Sequence, residues 1–126
     1  MICWTQEYSV NNEVIDGQHR GLFKILNELD QCIEKKEYQR MSNILTDLEV
    51  YALFHFSDEE NAMEKWGYPD FNKHKKEHEE FGTTVQDFNK KTLEESAVCK
   101  EVLNYLLNWI TNHIKVSDQA YTPYYK

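Results

Sequence analysis

Apolar side chains return every three or four residues through four long stretches of this chain, a period that only helices satisfy over such lengths. The first stripe is Leu22, Ile25, Leu26, Leu29 and Ile33. The second is Met41, Ile44, Leu45, Leu48, Tyr51, Ala52, His55, Phe56, Glu59, Ala62 and Met63. The third is Phe71, His74, His78, Phe81, Val85 and Phe88, and the fourth is Val98, Val102, Leu106, Trp109, Ile110, His113 and Ile114. Only 4 glycines and 2 prolines occur in 126 residues, which favours long helices over strands and turns.

Asp16 is placed to cap a first helix running to about Lys36, with His19 one turn before Leu22 on the same face. A second helix is expected from about Tyr38 to Trp66, where Gly67-Tyr68-Pro69-Asp70 breaks the chain. A third should start near Asp70 as its N-cap. Thr92-Leu93-Glu94-Glu95 has the spacing of a capping box and is expected to open the fourth. Residues 1–15 show no sustained period and read as an N-terminal arm whose Trp4, Tyr8, Val10 and Val14 pack across the helices. The tail from Tyr121 is expected outside regular structure. The fold class predicted is all-α: one domain, residues 1–126, forming an up-down-up-down antiparallel four-helix bundle with that arm.

The net charge of −8 repels phosphate backbones and anionic lipid, so neither nucleic acid nor a membrane is an expected partner. No apolar run approaches ~20 residues, and the N-terminus shows no basic segment followed by an apolar one. Cys3, Cys32 and Cys99 are odd in number and widely spaced, with no Cys-x-x-Cys pair, which disfavours thiolate metal sites. They are expected to be small, partly buried apolar side chains in a reducing cytoplasm.

The informative residues are the polar ones inside the stripes. All 5 histidines lie on apolar faces, and every helix carries at least one. Glu59 follows His55 by one turn, and His78 follows His74 by one turn, so each pair projects from one side of its helix. An ionised carboxylate in an apolar core is very costly unless it is paired or bound to metal. Neither Lys nor Arg falls on these inner faces. A metal ion would supply the missing positive charge, held by ligands from facing helices. Asp118 lies five residues after His113, an offset of ~140° on a regular helix. Both can face one site only if the helix widens or ends between them.

The ordered pieces Ile15-Asp16-Gly17-Gln18-His19, His55-Phe56-Ser57-Asp58-Glu59-Glu60, Tyr68-Pro69 with His74-x-x-x-His78, and Trp109 with His113-Ile114-x-x-x-Asp118 resemble the hemerythrins, most closely their single-domain bacterial type. The resemblance spans nearly the whole chain, and the family includes up-down-up-down bundles. It implies two iron ions with an oxo or hydroxo bridge. By that resemblance His74, His78 and His113 bind one iron, His19 and His55 bind the other, and Glu59 and Asp118 bridge them. Imidazole and carboxylate suit iron without excluding manganese, cobalt or zinc. Five imidazoles, two bridging carboxylates and the oxo or hydroxo group leave a six-coordinate pair one ligand short, at the iron with only His19 and His55. The implied function is reversible dioxygen binding for storage or transport, with oxygen held as hydroperoxide on that iron and no catalytic residue. Leu22, Phe56, Trp109, Ile110 and Ile114 would line the oxygen pocket.

Two other functions compete: an oxygen or redox sensor, and a di-iron enzyme of the peroxidase or nitric oxide reductase type. Carboxylate-rich di-iron oxidases use Glu-x-x-His pairs, and this chain has none. The chain is expected to be a monomer or a homo-oligomer.

Overall fold

The computed structural model describes residues 2–91 and 93–125. Its first helix, α1, spans Glu13–Glu34 and begins about a turn earlier than expected. Asn12 is the N-cap, accepting from the backbone N–H groups of Val14 and Ile15. Asp16 sits inside the first turn and fastens the arm instead. It accepts from Ser9 Oγ at 2.6 Å and from the Val10 N–H at 2.9 Å. Both residue types cap helices, so the competition was settled by what Asp16 does elsewhere. At the other end Lys36 takes a φ of 57°. The Glu37 N–H then reaches back to Cys32 O at 2.8 Å, closing the helix in a left-handed cap.

α2 spans Met41–Trp66, after a 3-10 turn over Tyr38–Arg40 that occupies the start expected for the helix. It ends at Gly67, whose φ of 67° suits a residue without a Cβ. α3 spans Phe71–Asn89, with Asp70 at the N-cap position but making no side-chain cap bond. α4 spans Ser96–Asn112. Thr92 of the expected capping box lies outside the described residues, and Glu95 occupies the N-cap without a side-chain bond. The chain then widens into a π-helix, His113–Asp118, and tightens into a 3-10 segment, Gln119–Tyr124. The tail is therefore regular through Tyr124, and Tyr121 within it is fully buried.

Two apolar clusters make up the core, and they reveal the topology. The larger holds Leu22, Leu26, Leu45, Leu48, Phe56, Phe81, Leu106, Ile110 and Ile114 among others. The smaller holds Val10, Ile15, Met63, Trp66, Tyr68 and Tyr121. α1 runs from the small cluster (Ile15) to the large one (Leu22), and α2 returns from Phe56 to Met63. α3 runs from Phe71, packed on the small cluster, to Phe81, and the last helix returns from Ile110 to Tyr121. That alternation is the up-down-up-down antiparallel order. Each fully buried leucine contributes on the order of 2–3 kcal/mol by leaving water.

The arm crosses the bundle as expected for Trp4, Tyr8 and Val10. Tyr8 packs on Phe23 with ring centroids 5.2 Å apart, and Trp4 lies under the Arg20 guanidinium at 4.7 Å. Val14 does not join them. It falls on the outer face of the earlier-starting α1 and is 69% exposed. Cys32 and Cys99 are buried, but Cys3 is exposed rather than partly buried. Among the described residues no helix is long and apolar enough to cross a membrane.

Two helix ends should respond oppositely to glycine. Lys36→Gly removes the steric cost of a left-handed Cβ and should stabilise the protein by ~0.5–1 kcal/mol, whereas Gly67→Ala should destabilise it by ~1 kcal/mol. Urea unfolding midpoints read both changes.

Candidate metal centre

Between the two apolar clusters lies a layer of buried polar side chains. His19 comes from α1, His55 and Glu59 from α2, His74 and His78 from α3, and His113 and Asp118 from the two ends of the π-helix. All are buried, and Glu59 and Asp118 have no exposed surface at all. The π-helix resolves the awkward spacing of Asp118, since its wider turn pairs residues five apart. It brings Asp118 Oδ1 to 3.2 Å from His113 Nε2.

The ligand-capable atoms fall into two groups. Glu59, His74, His78, His113 and Asp118 form one, and His19, His55, Glu59 and Asp118 form the other. Glu59 Oε1 lies 3.0 Å from both His74 Nε2 and His78 Nε2, while Oε2 lies 3.5 Å from His55 Nε2 and 3.8 Å from His19 Nε2. Asp118 Oδ1 lies 3.0 Å from His74 Nε2, and Oδ2 lies 3.1 Å from His19 Nε2. Both carboxylates thus face both groups.

These atoms are poorly served as a hydrogen-bond network. The two nitrogens of His19 and the two oxygens of Asp118 have no hydrogen-bond partner. His78 Nε2 and His113 Nε2 point at one another at 3.1 Å. Orphaned buried polar atoms are rare in native proteins, and a cluster of them calls for a partner such as an ion. No lysine or arginine forms an ion pair with Glu59 or Asp118 among the described residues. Separations near 3 Å are also those of neighbouring ligands on an octahedral ion with bonds of roughly 2.1 Å. The donor set therefore fits metal cations, and both groups are built to share the same two carboxylates.

Around these atoms stands a ring of supporting groups that sequence reasoning missed. His55 Nδ1 donates to Gln18 Oε1 at 2.6 Å, and Gln18 Nε2 donates in turn to Asp58 Oδ2 at 2.9 Å. His78 Nδ1 donates to Glu60 Oε2 at 2.8 Å, and His113 Nδ1 to Glu77 Oε1 at 3.0 Å. Ser117 Oγ also donates to Glu77 Oε1, at 2.6 Å. Tyr121 Oη donates to Glu59 Oε2 at 2.9 Å. Tyr121 sits three residues beyond Asp118, a same-face spacing that was available as a signal. The glutamates had none, because each serves a histidine on a different helix.

Phe56 stacks flat on His78, with centroids 3.8 Å apart, and Trp109 stacks on His113 at 4.4 Å. Leu22, Ile110 and Ile114 are buried in the large apolar cluster on that side of the polar layer.

The Hemerythrin HHE cation binding domain matches residues 10–125. The chain belongs to the hemerythrin family. Its similarity to hemerythrins runs end to end. A bacteriohemerythrin of Clostridium acetobutylicum is 32% identical, the match covering 96% of this chain and 98% of that protein. A myohemerythrin of Theromyzon tessulatum is 31% identical over 94% of this chain and 88% of that protein. The crystal structure of wild-type hemerythrin superposes with a TM-score of 0.84 at 27% identity, covering 98% of this chain and 96% of that one. Hemerythrins bind a di-iron centre, and the histidine–carboxylate cluster of this member is able to hold it.

Without metal, protons take over the role of the cations. Burial opposes charge on His19 and His74, but the Asp118 and Glu59 carboxylates outweigh it and raise each to about 9. His113 is raised to about 10 against the same burial cost, by Asp118 and Glu77. His55 is lowered to about 4 by burial, which its carboxylate neighbours do not offset. Burial would raise the Glu59 and Asp118 carboxyls, yet the histidines hold both well below the usual carboxylate range. The His113 hydrogen bond takes Glu77 down to about 2.

These shifts set the pH behaviour of the metal-free protein. His19, His74 and His113 stabilise the fold fully below pH 6.5 and lose that contribution as pH rises through 9 to 10. His55 acts oppositely, costing stability as pH falls from 6.5 toward 4, and Glu59 and Asp118 add to that loss in stronger acid. Thermal unfolding of metal-free protein should therefore show a maximum near neutrality. Loading metal at pH 7 should release one proton from each raised histidine, in addition to those given up by a water that becomes the bridge. Titration calorimetry in buffers of different ionisation enthalpy counts them.

Proposed function

We propose that this hemerythrin binds dioxygen reversibly at its di-iron centre and serves in oxygen storage or transport rather than as an enzyme. The reading rests on one observation: two ligand groups of unequal size share both of their carboxylates. We assign His74, His78 and His113 to one iron, His19 and His55 to the other, and Glu59 and Asp118 to both. When bound, the iron pair supplies two reducing equivalents and a coordination position for a diatomic gas.

The protein's own residues then do three things. Gln18, Glu60 and Glu77 hold the Nδ1 protons of His55, His78 and His113, which fixes each ring and leaves its Nε2 lone pair facing inward. Glu59 and Asp118 supply the negative charge that balances the cations inside an apolar core. Leu22, Phe56, Trp109, Ile110 and Ile114 form an apolar wall that keeps water from the site, which protects a reversible ligand from proton transfer. The match over residues 10–125 supports reading 1–126 as a single domain, and the free cysteines suit a cytoplasmic setting.

The iron-loaded protein, reduced and then exposed to oxygen, should develop a visible absorption band that vanishes on deoxygenation and returns on reoxygenation. A band that forms once and decays would overturn reversible binding. His78→Ala should lose at least one iron per chain by metal analysis. Retention of two irons with intact oxygen binding would refute the ligand assignment. Chelation should lower the melting temperature markedly, because ions that bind only the folded chain stabilise it by mass action.

A further inference from the structure

The surroundings of the two ligand groups differ in electron supply. Among the described residues, only Glu59 Oε2 of the carboxylate oxygens at the centre receives a hydrogen bond from a hydroxyl, that of Tyr121 at 2.9 Å. This is the oxygen turned toward His19 and His55, whereas Oε1 faces His74 and His78. A hydrogen bond to a carboxylate oxygen draws electron density from it and makes it a weaker metal donor. Two of the three imidazoles in the larger group show the same bias. His78 and His113 each give their Nδ1 proton to a carboxylate, which makes the ring a stronger donor. His55 gives its proton to the neutral amide of Gln18, and His19 Nδ1 has no partner.

The phenol is firmly held. Tyr121 is fully buried, lies nearly parallel to His74 at 5.7 Å, and packs against Trp66 at 5.2 Å. It rides on the 3-10 segment that continues directly from the π-helix carrying Asp118.

We propose that Tyr121, with Gln18, tunes the pair so that the metal held by His19 and His55 is the more electron-poor and the more easily released of the two. The proposal rests on the ligand assignment above. Tyr121 and Gln18 touch ligands and not metal, so both are positioning residues.

Two variants test it by independent routes. Tyr121→Phe deletes the hydrogen bond and keeps the ring. The double variant Gln18→Glu with Asp58→Asn gives His55 a carboxylate acceptor while preserving a donor to residue 18. In iron-loaded protein each should move the midpoint of an anaerobic reductive titration to lower potential, since stronger donors favour the ferric state. Each should also slow the first phase of iron release to a chelator by about tenfold. A merely structural role predicts the reverse, faster release. With two irons present per chain in the parent protein, an unchanged midpoint, faster release, or loss of iron on purification of Tyr121→Phe overturns the tuning proposal alone. Fewer than two irons in the parent protein overturns the ligand assignment and the proposal with it.

Discussion

Two carboxylates buried in an apolar core, with no lysine or arginine among the described residues beside them, must be neutralised by something else. Glu59 and Asp118 impose that requirement, and much of the surrounding architecture answers it. Five imidazoles surround them, and each Nε2 except that of His55 lies within about 3.2 Å of a carboxylate oxygen. In the metal-free protein three of those rings hold protons tightly enough to serve as the counter-charge. Metal and proton therefore compete for the same place, and the family's cation chemistry follows from an electrostatic demand already present in the folded chain.

Meeting that demand shaped the backbone. A regular α-helix would turn Asp118 away from His113, and the π-helix over His113–Asp118 restores it. Such widened turns are uncommon and concentrate at functional sites. The distortion has a second effect, since the narrower 3-10 segment that follows carries Tyr121 down onto Glu59. One local irregularity thus delivers both a ligand candidate and the hydroxyl that polarises the other carboxylate. The arm is tied to the same region, through Gln119 donating to Glu7 O at 2.8 Å and Tyr125 donating to Val10 O.

What could be read beforehand depended on whether the deciding contact was local. The four helices were legible because apolar periodicity is a property of each segment alone. The pairs His55/Glu59 and His74/His78 were legible for the same reason, being one turn apart. Helix starts were less so, because Asn12 and Asp16 are equally good caps by type and only the fold shows Asp16 binding Ser9 and Val10. Val14 was misplaced by that same shift of start. Glu60 and Glu77 were invisible because a helix turns adjacent residues about 100° apart, so each serves a neighbouring helix rather than its own. The tail reads as irregular because its sequence carries no sustained period of its own, yet burial of Tyr121 against Trp66 and His74 holds it in register.

The polar layer also divides the interior, with one apolar cluster on each side of it. Small domains open locally and in cooperative parts as well as globally. Here every helix crosses the dividing plane, and each crossing carries at least one side chain of the cluster. Ions held in that plane would tie the two compartments together, so that fraying at the Trp66 end would also strain the Leu106 end. The site and the cohesion of the fold would then be one object, with the cations that supply the chemistry also holding the two halves of the interior together.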